Sequence, residues 1–180
     1  MIQPNNILET ARFAVKHHGE QRRKYDNMPY IVHPLNVAAR LAEFCDMPDA
    51  VIQAAILHDV LEDTDCTVEE LRENFHAKVC EWVIFLTDEK PREGMNRADR
   101  KRLDLERLKQ SPWQVGAIKF ADMLDNMESI YKHDPLILTE CNAIFHALSG
   151  QFNRVNDLES QLAYALNFYA EKLGIKLDEK

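Results

Sequence analysis

At 180 residues the chain suits one domain with a full hydrophobic core, and 46% hydrophobic against 29% charged residues is the balance of an ordinary globular protein. A net charge of −8 argues against a broad nucleic-acid-binding surface, yet leaves room for a small anion held by local cations. No apolar run approaches the roughly 18 residues of a membrane span, and MIQPNNILETARFA lacks a signal pattern, so no membrane partner and a cytoplasmic location are expected.

Only 5 Gly and 7 Pro interrupt the chain, which favours helices. Four scattered cysteines (Cys45, Cys66, Cys80, Cys141) form no CxxC pair and read as reduced packing residues. Asn5 or Asn6 can cap a first helix carrying Ile7, Leu8, Ala11, Phe13, Ala14 and Val15, ending near His17-His18-Gly19. Next, Arg22, Arg23 and Lys24 precede a turn at Asp26-Asn27. Such a basic cluster is either solvated surface or a phosphate clamp. His33-Pro34 follows, with Pro34 expected at the first position of the helix LNVAARLAEF and His33 just before it.

The stretch Val51 to Asp65, VIQAAILHDVLEDTD, opens as a nearly pure apolar run and reads as a buried helix from Met47-Pro48-Asp49 to about Thr64–Cys66. His58, Asp59, Glu62 and Asp63 arrive within six residues, at the three- and four-residue spacings that stack side chains on one side of a helix. Three carboxylates and an imidazole at the end of a core helix repel one another and lose hydration, and a divalent cation offsets that best.

Thr67-Val68-Glu69-Glu70 is a capping-box pattern, with Leu71 and Phe75 on the apolar side of its helix and a further helix over Val79 to Leu86. Thr87 to Asp99 reads as a polar loop marked by Pro91 and Gly94. Arg97, Arg100, Lys101 and Arg102 cluster where the following helix begins, on a face that Asp104 and Glu106 can pair. Ser111-Pro112 starts WQVGAIKFADMLDNMESIY, in which Lys119, Asp122 and Asn126 share a face. An aspartate between Ala121 and Met123 is costly to bury alone, so it faces water or meets a cation. Pro135 to Leu173 holds two packing helices. The whole reads as a single all-α domain over residues 1–180, a bundle of about eight to ten helices.

His33, His58, Asp59 and Asp122 form a His2Asp2 set whose nitrogen and oxygen donors suit Mn, Fe or Zn. The ordered set H…HD…D resembles the HD-domain metal-dependent phosphohydrolases. More narrowly, EQRRKYDNMPYIVHPLNVAARL, AAILHDVLEDTDCTVEEL and IKFADMLDNM are similar to the hydrolase domain of Rel/Spo-type alarmone enzymes. The stand-alone small hydrolases of the metazoan SpoT-homologue kind match best, over roughly residues 8 to 130.

That resemblance implies an HD fold, with His33, His58, Asp59 and Asp122 as ligands of a divalent ion, usually manganese. It implies Glu62 and Asp63 as catalytic acids, and Arg23, Lys24 and Asn126 at a small nucleotide substrate. Lys101, Arg102 and Lys119 are further candidates for its phosphates. The implied reaction is removal of pyrophosphate from the 3′ position of a (p)ppGpp-type alarmone. Hydrolysis of another nucleotide, or a non-catalytic nucleotide-sensing helical module, are the alternatives. Three positions depart from the family pattern: Glu128 where Arg is common, and Asn142 and His146 where a substrate-contacting Arg and Tyr are expected.

Overall fold

The structure, a computed structural model, describes residues 6–43, 47–88, 94–151 and 156–177. Among these lie ten helical segments and one isolated antiparallel bridge, Arg22 to Pro29, so the fold is all-α as expected. In α1 (Ile7–His18) the Asn6 side chain accepts the Glu9 N–H at 2.9 Å. Gly19 ends it at φ 50°, a value that glycine adopts without strain. Asn5, the alternative cap, lies outside the described residues.

Helix α2 (Val32–Ala42) begins two residues before Pro34, because a turn at Pro29-Tyr30 already bonds the His33 N–H to the Tyr30 carbonyl at 2.9 Å. Pro34 still falls in the first turn, where an amide hydrogen has no helical partner to lose. His33 therefore sits inside the helix rather than ahead of it. Phe44, at the far end of the expected stretch, lies outside the described residues.

The expected single helix through Val51 to Asp65 is in fact two. Helix α3 (Asp49–Leu57) and the single turn α4 (Val60–Asp63) meet at His58 and Asp59. The physical reason is local competition. His58 Nδ1 donates to the Ala55 carbonyl at 2.8 Å, the acceptor that the Asp59 N–H would use in a continuous helix. The Tyr30 hydroxyl holds Asp59 from the other side, at 2.6 Å.

Thr67 caps α5 (Val68–Asn74) by accepting the Glu70 N–H at 3.1 Å, and α6 (Ala77–Leu86) follows. Helix α7 (Arg97–Lys109) starts within the stretch read as loop, on a complete capping box of Asn96 and Asp99. Pro91 and the side chain of Arg97 lie outside the described residues. Then come α8 (Trp113–Ile130), α9 (Leu136–Leu148) and α10 (Asn156–Leu173).

Every residue of α3 from Val51 to Leu57 is buried, and the helix packs against α1, α2, α6 and α8. Helix α8 packs in turn on α2, α9 and α10, the last burying Leu158, Leu162, Leu166 and Ala170 at every fourth position. Cys66, Cys80 and Cys141 are free and buried; Cys45 lies outside the described residues. No helix among the described residues is long and apolar enough to cross a membrane. Phe120 on α8 is fully buried and faces the ring of Phe145 on α9. Phe120→Ala is expected to cost about 3–5 kcal/mol, read from the midpoint of a denaturant transition.

Candidate metal centre

The four expected ligands converge from three places: His33 in the first turn of α2, His58-Asp59 at the α3/α4 break, and Asp122 in the middle of α8. His33 Nε2 lies 3.5 Å from Asp59 Oδ2 and 3.3 Å from Asp122 Oδ1. His58 Nε2 lies 3.1 Å and 3.9 Å from the same two oxygens. Of these four residues, His33, His58 and Asp59 satisfy the spacing of a group that could hold a metal ion.

The outward nitrogens of both rings are already engaged, which fixes where the lone pairs point. His58 Nδ1–H donates to the Ala55 carbonyl, and His33 Nδ1 lies 2.7 Å from Asp125 Oδ2. Each ring thus turns Nε2 inward, and that of His58 is buried without a hydrogen-bond partner. An orphaned buried nitrogen facing two carboxylates is the donor set a divalent cation requires, and the carboxylates' two negative charges match its own. The residues fit the group.

The electrostatics agree. Burial alone would favour the neutral form of every one of these side chains. For His33 that penalty is outweighed by hydrogen bonds to Asp122 and Asp125, which push it up to about 10. His58 is likewise raised, the charge of Asp59 overcoming burial. Asp59 is held well below the usual carboxylate range by His58, and Asp122 by Lys119, despite burial in both cases. The neighbouring aspartates push both imidazoles toward the protonated form, so a cation at their Nε2 atoms competes with protons.

Asp122 is further tied to Lys119 at 2.8 Å and accepts from Asn126 at 2.5 Å, so the three residues share one face as their spacing predicts. Glu62 and Asp63 stand on α4 beside the ligand pair, held by separate donors. The Asp88 N–H reaches Glu62 at 3.1 Å and the Gln21 side chain reaches Asp63 at 3.2 Å. Glu62 is exposed at its edge, yet crowding by surrounding protein raises its carboxyl to about 7.

Tyr30, His58, Asp59, Glu62 and Asp63 line one end of a cleft whose other end, a cavity of about 450 Å³, is walled by α7 and α9. Asp88, Lys119, Asp122 and Asn126 line both ends. Lys101 and Arg102 supply cations to the far wall, while Leu105, Leu108, Ile137 and Ile144 make it apolar. Lys101 is paired with Glu140, and Arg102 with Glu106 at 3.2 Å.

Arg23 and Lys24 do not line this cleft. Arg23 is bound at its rear to Asp125 (2.7 Å) and Ser129 (2.5 Å), whereas Lys24 is exposed with its ammonium 4.9 Å from the centre of the Tyr25 ring. The three departures lie elsewhere too. Glu128 pairs with Arg40 at 2.5 Å, and Asn142 and His146 line a groove against α10. The α9 residues that reach the cleft are instead Ile137, Thr139, Glu140, Cys141, Ala143 and Ile144.

Sequence reasoning passed over Asp125, Tyr30 and Asn36. Asp125 collects His33, Arg23 and an Asn36 amide at 2.9 Å, which together hold its carboxyl below the ordinary range against the effect of burial. Its position three residues after Asp122 on the same helix was the available signal. Asp125→Asn weakens the group that orients His33, so divalent-metal affinity is expected to fall roughly 10- to 100-fold. A manganese titration checks this, and unchanged affinity would show that the ring needs no such support.

Residues 10–152 match the HD domain family. The Drosophila melanogaster protein named guanosine-3′,5′-bis(diphosphate) 3′-pyrophosphohydrolase MESH1 is 38% identical over 131 residues, 72% of this chain and 72% of its own. The Homo sapiens protein of that name is 39% identical over the same shares. An Aquifex aeolicus guanosine-3′,5′-bis(diphosphate) 3′-pyrophosphohydrolase is 42% identical over 69% of this chain and 18% of its own. A solved structure of a metazoan orthologue of SpoT that hydrolyses ppGpp superposes with a TM-score of 0.77, at 27% identity, covering 98% of this chain and 99% of that one.

Proposed function

The chain belongs to the HD domain family, and from that premise we propose that it is a metal-dependent hydrolase removing the 3′-pyrophosphate of guanosine-3′,5′-bis(diphosphate)-type alarmones. The observation that carries this reading is the joining of two features in one cleft. An inward-facing set of two imidazoles and two aspartates adjoins the acidic pair Glu62 and Asp63, opposite a wall with both cationic and apolar residues.

His33, His58, Asp59 and Asp122 would hold the ion, with manganese our assignment for this nitrogen and oxygen set. When bound, such an ion polarises a phosphoryl oxygen and makes water more acidic. Glu62 and Asp63 orient the attacking water and accept its proton. Lys119 keeps Asp122 ionised and, with Lys101 and Arg102, offsets charge developing on the phosphates. Those last two exchange their present carboxylate partners for substrate. Asn126 positions Asp122 and faces the sugar. Arg23 acts through Asp125 on the His33 ring, and Lys24, outside the cleft walls, is left to the approach of the anion.

The apolar part of the wall offers a face to any base, which keeps an adenosine alarmone as the second reading. Both are tested by incubating the manganese-loaded protein with guanosine and adenosine bis(diphosphates), a nucleoside triphosphate and NADPH. Pyrophosphate release from the guanosine compound is the expected result. Release only from the adenosine compound favours the second reading, and orthophosphate from the other substrates, or no turnover at all, overturns both.

A further inference from the structure

His17, Cys66 and Glu70 lie outside the cleft and take no part in its chemistry. His17 is on α1, Cys66 in the turn between α4 and α5, and Glu70 in the first turn of α5. One ligand atom from each lies within 4.8 Å of the other two. His17 Nε2 is 3.3 Å from Glu70 Oε1 but is buried without a hydrogen-bond partner. The Cys66 thiol has only a weak contact, 3.6 Å to the Thr67 carbonyl.

The trio is held in place by packing. The Phe13 ring stands 4.3 Å from that of His17 and meets Phe75 edge-on at 4.9 Å, pinning α1 beside α5. In a tetrahedral zinc site with bonds of about 2.0–2.3 Å, neighbouring donors stand about 3.3–3.8 Å apart. The imidazole–carboxylate distance of 3.3 Å already meets that edge, and the thiol lies within 4.8 Å of both.

We propose that His17, Cys66 and Glu70 form a second divalent-metal site, selective for zinc, with water in the fourth position. Sulfur, nitrogen and oxygen donors together suit a borderline ion better than manganese. On binding, the Cys66 thiol gives its proton to solvent and the thiolate bonds the ion, so that thiolate and carboxylate neutralise its two charges. Lys16, 3.8 Å from Glu70 and with a side chain 74% exposed, is free to swing away. The ion would clamp α1 to the segment that follows Asp63.

Cobalt(II) distinguishes this site from the catalytic one, because none of His33, His58, Asp59 and Asp122 has sulfur. Titration of the full chain with cobalt should produce a thiolate-to-cobalt charge-transfer band in the near ultraviolet. The band should persist in His58→Ala and vanish in Cys66→Ser. In the His58→Ala background, where the catalytic set no longer competes for zinc, adding His17→Gln should weaken zinc binding by at least about tenfold in a chelator competition, and this serves if Cys66→Ser fails to fold. No band in the wild type, a band retained in Cys66→Ser, or zinc affinity unchanged by His17→Gln in that background overturns the proposal. None of these readouts depends on turnover, so loss of the assigned hydrolase activity would leave them standing.

Discussion

Asp122→Asn is expected to strip manganese from the protein and lower pyrophosphate release by at least ~100-fold. The amide keeps the shape of the side chain but removes one of the two charges facing the imidazoles. It also deprives the Lys119 ammonium of the carboxylate oxygen 2.8 Å away, in a mostly buried position. Breaking such a pair from one side costs about 3–5 kcal/mol when both groups are fully buried, and less here because Lys119 keeps some exposure. A retained helical spectrum with metal lost after dialysis is the signature. Unchanged manganese content would remove Asp122 from the ligand set.

Glu62→Gln is expected to lower kcat by about 10²–10⁴ while leaving KM and metal content near wild type. The pH dependence makes the assignment specific. Burial raises the Glu62 carboxyl to about 7, and a base works only when deprotonated, so activity must rise with pH and level off above that value. A divalent ion alongside favours the ionised form, placing the acidic limb at or below about pH 7. In Glu62→Gln that limb should disappear from the residual rate. If it survives, and Asp63→Ala abolishes it instead, the proton goes to Asp63.

The candidate ligands were legible because each is expensive in its sequence setting. An aspartate between Ala121 and Met123, or His58-Asp59 closing the buried run Val51 to Leu57, must find either water or a cation. The helices were legible for a related reason, since apolar periodicity records which face must be dry. The break at His58 was not, because it depends on a side chain competing for the Ala55 carbonyl, and periodicity has no term for that.

Arg23 illustrates the other limit. A basic cluster close to candidate ligands suggests a phosphate clamp, but only the assembled fold brings Asp125 from α8 to its guanidinium. Asn142 and His146 share α9 with cleft residues, yet they line the groove against α10. Helical spacing says which residues share a face, not which neighbour that face will meet.

The junction at His58-Asp59 joins two elements of very different robustness. Helix α3 is buried throughout from Val51 to Leu57, whereas α4 is one turn of four residues that buries only Val60 and Leu61 and carries its acidic side chains at the cleft surface. Such a turn opens more readily than the core behind it. Warming should therefore misalign the acidic pair and loosen the cation while most of the helical signal persists. Thermal inactivation would then run ahead of melting, and excess manganese in the buffer would narrow the gap between them.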